Sequence, residues 1–259
     1  MGGGAGSGVR RPVRQMRRPA TENGFHMATS TRPLEGQLHS SRLLLAAGAV
    51  GPLLFILAFL IEGATRPAYS AWHMAVSSLS DGPFGWTQRT NFVVCGALSI
   101  CFAFGLKRAL RAGKGATWGP ILLGGLGLGL IGAGFFTTEP GLGYPPGTAT
   151  PTTPSIHGVL HSSFTLVGFT SLIAACFVLA RRFTLDPAWR GWSLYSILTG
   201  SAVLVLFVLT SVAAASSDPS SPAGLLQRVM IIIGWVWVAL FAIQLLRKGP
   251  PVAGEISAS

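Results

Sequence analysis

Apolar residues gather along this chain into six long runs, separated by short stretches rich in polar residues, glycine and proline. The runs cover 43–61, 90–106, 118–136, 160–180, 193–214 and 229–246. Each approaches or exceeds the ~18–20 residues that carry a helix across a hydrocarbon core ~30 Å thick. The second is the shortest, with an uninterrupted apolar stretch of only 92–106 and Asn91 at its mouth. The pattern predicts an all-α, polytopic membrane protein with six transmembrane helices. It divides the chain into a basic, disordered N-terminal tail (1–41), a six-helix membrane domain (42–248) and a short disordered C-terminal tail (249–259). The first tail is expected to be disordered because it is rich in Gly, Arg and Ser and has few large apolar residues to bury.

Composition supports the same picture. Hydrophobic residues make up 49% of the 259 positions and charged residues 10%, whereas soluble domains carry about 25% charged residues. An ordinary soluble globular protein is excluded. The net charge of +11, from 19 Lys and Arg against 8 Asp and Glu, suggests a nucleic-acid partner until its bases are located. All of them except Arg66, Arg89 and Arg228 lie in the N-terminal tail, the loops after the second and fourth runs, and the C-terminal tail. Bases concentrate in cytoplasmic loops, so both termini are expected in the cytoplasm of a bacterial cell, the spans in its plasma membrane, and no nucleic acid as partner. Paired arginines at Arg10–Arg11 and Arg17–Arg18 resemble an export signal, but the first apolar run starts far downstream and is long enough to span. Met27 is an alternative start to Met1 and would leave a short leader before Arg42.

Within the runs, Cys95, Cys101 and Cys176 lack metal or disulfide spacing and read as packing residues. Gly125, Gly129 and Ala133 recur every fourth residue. Such a small-residue face lets a second backbone approach closely, either inside this bundle or at a homo-oligomer seam. Trp72, Trp86, Trp118 and Trp192 fall where an interfacial aromatic belt would lie, while Trp235 and Trp237 read as packing or lipid-facing. No Asp, Glu, Lys, Arg or His sits in the middle of a run, which argues against proton-coupled transport or charge-selective conduction.

Candidate chemistry is confined to the expected outer side. Between Ser70 and Ser80, Trp72, Val76 and Leu79 share one helical stripe and His73, Ser77 and Ser80 another. The spacing predicts a short amphipathic helix in the interface, ended by Asp81-Gly-Pro. The second outer loop carries Glu139 and a proline-rich, extended stretch leading into His157-Gly-Val-Leu-His161. Two histidines four apart on a helix face the same way, as metal ligands do, although HxxxH without the Glu of HExxH is a weak pattern. Two readings follow. Either the histidines hydrogen-bond loop backbone and headgroups, or they hold a divalent metal with His73 or Asp81 as third ligand. In the second case Glu139 is a candidate general base, Ser77 a substrate-positioning group, and the metal a source of hydroxide near neutral pH. Each outer hairpin also pairs an acid with a base: Glu62 with Arg89, Glu139 with His157, Asp218 with Arg228. Pairing across the hairpins would account for this, as would chance among so few acids.

Several outer motifs resemble the domain-of-unknown-function 998 family, in its actinobacterial form. They are His73 through Ser80-Asp81-Gly, Gly85-Trp86-Thr-Gln88-Arg-Thr-Asn91-Phe92, Gly134-Phe-Phe-Thr-Thr-Glu139-Pro, and Gly141-Leu-Gly-Tyr144-Pro-Pro-Gly147 leading to His157 and His161. The resemblance runs from about Arg42 to Lys248 and departs at Glu139, where family members often carry Asp. It implies a multi-pass bacterial membrane protein and no particular reaction. Two functions are therefore expected to compete. One is a non-enzymatic envelope protein whose outward polar face binds lipid or a partner. The other is an outward-facing, metal-dependent hydrolase of lipid-linked substrates.

Overall fold

The computed structural model describes residues 1–4, 6, 32–216, 218 and 220–251, with backbone alone for 32–39. It contains six helices long and apolar enough to cross a membrane. These are α1 (Arg32–Thr65), α2 (Gly85–Ala109), α3 (Trp118–Phe135), α4 (Ile156–Phe183), α5 (Arg190–Ala215) and α6 (Ala223–Lys248). Each apolar run becomes one helix, extended at one or both ends in all but α3. α2 starts five residues before its run, at Gly85, with Gln88 and Asn91 buried rather than solvated. α1 reaches back to Arg32, inside the stretch expected to be an irregular tail. Its Pro33 stands in the first turn, where a missing N–H costs nothing. The expectations for the rest of that tail, including Met27, and for 252–259 lie outside the described residues.

Each helix packs on its neighbours in sequence, and α6 returns to pack on α1, so the helices form a closed ring. Lipid tails are as apolar as leucine, so close packing and hydrogen bonds hold such a ring together. The tightest seams involve α3. A Cβ on Gly129 would lie 2.6 Å from the Cα of Gly168 in α4, and one on Gly127 2.7 Å from the Gly96 carbonyl in α2. The Gly125/Gly129/Ala133 face is thus covered by α4 of the same chain: Gly125 meets Ser171, Gly129 meets Gly168, and Ala133 is buried.

The end bearing loops 110–117 and 184–189 is the arginine end, and the other is the histidine end. At the arginine end, Phe183 and Trp189 stack at 5.2 Å and Trp237 and Phe241 at 5.6 Å. Trp192, expected in the interfacial belt, joins this cluster, whereas Trp72, Trp86 and Trp118 are exposed. Trp237 is buried, and its indole N–H donates to Ser196 Oγ (2.9 Å). Arg182, also buried, donates to the carbonyls of Ala112 (2.7 Å), Lys114 (3.1 Å) and Pro251 (3.0 Å) and so latches loop and chain to the bundle.

Candidate functional site

At the histidine end two arginines fold the first loop down onto the ring. Arg228 lies in the second turn of α6 and is buried. Its Nη1 donates to the carbonyls of Ala71 (2.8 Å), Met74 (2.9 Å) and Gly224 (2.9 Å), and its Nη2 to the Tyr69 hydroxyl. Arg66 donates to the Phe84 carbonyl (2.6 Å), the Thr87 hydroxyl (2.8 Å) and the Tyr144 hydroxyl (3.4 Å), and pairs with Glu62 at 3.2 Å. Carbonyls that a helix over 70–80 would need for its own N–H groups are taken by Arg228. The interfacial helix expected there is accordingly replaced by turns and a single 3₁₀ turn, Val76–Ser80, with Val76 and Leu79 buried.

The second loop also departs from its extended expectation. Gly141 and Tyr144 exchange backbone hydrogen bonds (3.1 and 3.0 Å) around Leu142 and Gly143, both at positive φ. This turn buries Tyr144 edge-on against Tyr69, ring centres 5.4 Å apart. Acid–base pairing across the hairpins is not formed among the described residues. Glu62 bonds Arg66 rather than Arg89, Asp218 accepts from Ser220 (2.8 and 2.7 Å), and Arg228 is committed to loop carbonyls.

Beneath the folded loop lies a cavity of about 60 Å³ inside the ring. Its roof is fixed by the Val76 N–H, which donates to Gln227 Oε1 (2.7 Å). Phe55, Phe92, Leu126, Leu130, Phe169, Leu172, Ile231 and Trp235 form apolar walls, and Ser77, His161, Thr165 and Gln227 supply the polar groups. His161 is only 4% exposed. Its Nδ1 lies 2.7 Å from the Phe136 carbonyl and 3.2 Å from that of Ala133. Carbonyl oxygens only accept, so Nδ1 carries the proton and Nε2 of the neutral ring presents a lone pair. Gln227, having used its oxygen on the roof, keeps amide N–H donors. The residues that line the cavity thus carry an acceptor, a donor and two hydroxyls amid an apolar shell.

Of the candidate chemical residues read from the sequence (His73, Ser77, Asp81, Glu139, His157 and His161), Ser77 and His161 line this cavity and the others stand elsewhere. His157 is exposed and packs on Phe136 at 5.7 Å, so the two histidines of the HxxxH pattern occupy different environments. His73 Nδ1 lies 3.1 Å from the Ser221 carbonyl, at the α5–α6 loop. Glu139 accepts from the Ser155 N–H (2.6 Å), while Ser155 Oγ caps α4 by accepting from the Gly158 N–H (3.1 Å). A carboxylate at a helix N-terminus is favoured, and the Ser155 hydrogen bonds hold Glu139 below the usual carboxylate range. Among the described residues, no three His, Cys, Asp or Glu side chains come together in a way that could hold a metal ion. Thr165 and Gln227 are the site residues that no motif announced. Thr165 follows His161 by one helical turn, a signal present in the sequence, whereas Gln227 enters only through ring closure.

Asp81 ends the 3₁₀ turn, and its Oδ2 is buried without a partner among the described residues. Burial pushes its carboxyl up to about 7, with Arg89 pulling down and Glu139 pushing up. The folded state thus binds this proton more tightly than the unfolded chain, and stability falls as pH rises from about 4 to about 7. Asp81→Asn is expected to gain about 1–2 kcal/mol at pH 8, after allowing for solvent screening. The gain should shrink by pH 5 and vanish below pH 4. Thermal unfolding of both proteins across that range is the measurement, and a gain that grows toward low pH would contradict it.

A family model described as "Protein of unknown function (DUF998)" matches residues 49–244, from within α1 to within α6. No curated protein and no solved structure matches the chain.

Proposed function

The chain belongs to the DUF998 family, whose function is unknown, and on that premise we propose that it is a non-enzymatic lipid-binding protein of the bacterial plasma membrane. The actinobacterial cell envelope is its setting, with the histidine end facing outward and both termini in the cytoplasm. The observation that carries the binding reading is the cavity inside the ring, apolar on its walls and edged by Ser77, His161, Thr165 and Gln227. Ligand sites combine such walls with a few placed polar groups. The groups that a metal-dependent hydrolase of lipid-linked substrates would bring together stand apart, which favours binding over that alternative. A second copy approaching the Gly125/Gly129/Ala133 face would meet α4 already packed there, so membrane lipid is the partner advanced.

Native mass spectrometry of protein extracted in mild detergent tests the reading. Wild type should retain lipid, and Ser77→Val or Thr165→Leu, which take up cavity space, should lose it with little change in melting temperature. Equal retention by well-folded variants would sink the proposal. Orientation has its own check: a reporter fused after Lys248 should report cytoplasm, and an extracytoplasmic signal would reverse the topology.

A further inference from the structure

The cavity is too small for a whole lipid. At about 60 Å³ it is less than half the ~150 Å³ of an engineered protein cavity that holds benzene. It accommodates a compact head group and the first carbons of a chain, so the remainder must lie outside the ring. No Asp, Glu, Lys or Arg lines it, and a charged head entering such a shell would stay unpaired at high cost. The polar groups present are complementary to one head in particular. His161 Nε2 accepts and the Gln227 amide donates, a combination that one hydroxyl satisfies by donating to the first and accepting from the second.

The ring also shows where a chain would leave. α5 alone of the six helices contributes nothing to the cavity wall. Its buried residues, Ser193, Ser196, Thr199, Gly200 and Val203, all lie toward the arginine end, and none of 204–215 is buried. α4 and α6 meet at the level of the cavity floor, where a Cβ on Gly234 would lie 2.6 Å from Leu172. Nearer the histidine end, half-buried Phe169 and Phe207 bridge α4 to α5 with ring centres 5.5 Å apart. One turn farther, Thr210 Oγ1 is buried without a partner among the described residues, whereas Ser211 beside it bonds back to the Phe207 carbonyl (2.8 Å).

We propose that the cavity binds the head of an uncharged long-chain alcohol, anchored between His161 and Gln227, whose chain runs sideways past Phe169 and Phe207 into the membrane. This rests on the lipid-binding reading and narrows it to one head-group chemistry and one route.

The test uses the full chain in phospholipid nanodiscs with ¹⁵N-labelled histidine. The His161 imidazole signal is assigned by its loss in His161→Asn. Hexadecanol, hexadecane, hexadecanoate at pH 8 and hexadecyltrimethylammonium are added separately at equal mole fraction. Hexadecanol should shift the His161 Nε2 resonance saturably. The others should bind about tenfold more weakly or not at all, because each leaves buried donors and acceptors unpaired or buries a charge. Phe207→Ala should speed hexadecanol exchange several-fold while leaving the saturated shift unchanged. Equal shifts from all four chains would overturn the hydroxyl preference yet leave lipid binding standing. No shift from any of them would overturn the site, and an exchange rate unmoved by Phe207→Ala would overturn the lateral route.

Discussion

Arg228→Ala is expected to destabilise the folded protein by about 3–5 kcal/mol, since hydrogen bonds to a charged group contribute about 1.5–3 kcal/mol each and relaxation recovers part of the loss. The guanidinium bonds two carbonyls of one turn of the first loop, Ala71 and Met74, as well as Gly224 of its own helix and the Tyr69 hydroxyl. Met74 and Tyr69 are themselves buried. Deleting the arginine removes a charged donor from each of these acceptors, and although Met74 still accepts from the Tyr69 hydroxyl (3.3 Å), the loop loses its tie to α6. Arg228→Lys should restore little, since a compact ammonium cannot fork toward so many acceptors at once. Arg89→Ala, which removes an exposed charge at the same end, provides the control and should shift stability by under about 0.5 kcal/mol. Thermal unfolding in detergent reads all three. Equal effects at 228 and 89 would show that the first loop is held by something else.

The α3–α4 seam gives the second large effect, and it is one-sided. A Cβ at Gly129 would stand 2.6 Å from Gly168 Cα, 2.7 Å from Gly168 N and 2.7 Å from the Phe164 carbonyl, all backbone atoms that cannot swing aside. A Cβ at Gly168, on the facing helix, would meet nothing nearer than 3.6 Å. Gly129→Ala should therefore cost about 2–3 kcal/mol, in the range of overpacked cores. Gly168→Ala should be neutral or slightly stabilising, because alanine is the better helix former by up to about 1 kcal/mol. Melting temperatures of the two variants decide the matter, and a symmetrical loss would mean that the helices simply part to admit either methyl.

Much of the fold was legible in the sequence because hydrocarbon imposes a length and a purity on each span that soluble cores do not. Six runs became six helices, and the small-residue period of α3 did mark a close approach. The loops were less legible. The stripes of Trp72 and His73 suggested a helix, but Arg228 lies about 150 residues away and no local pattern reveals that it will claim the Ala71 and Met74 carbonyls. His157 and His161 share a helical spacing, yet the ring buries one and leaves the other exposed, and periodicity cannot choose which. Gln227 looked like an ordinary polar residue at a helix entrance. It became part of a site only because α6 comes back beside α1.

That return gives α6 an unusual standing in the life of the chain. Trp235 faces Phe55 of α1 at 5.3 Å, while Phe241 faces Phe102 of α2 at 6.0 Å and Phe183 of α4 at 5.4 Å. With Trp192 of α5 also on Phe241 at 6.3 Å, one helix supplies aromatic neighbours to four others, and it is the last of the six to leave the ribosome. Without it the ring is open, and the cavity that His161 lines lacks the wall formed by Gln227, Ile231 and Trp235. α6 is the keystone of the ring, and a ribosome stalled before Ala223 leaves the arch unlocked.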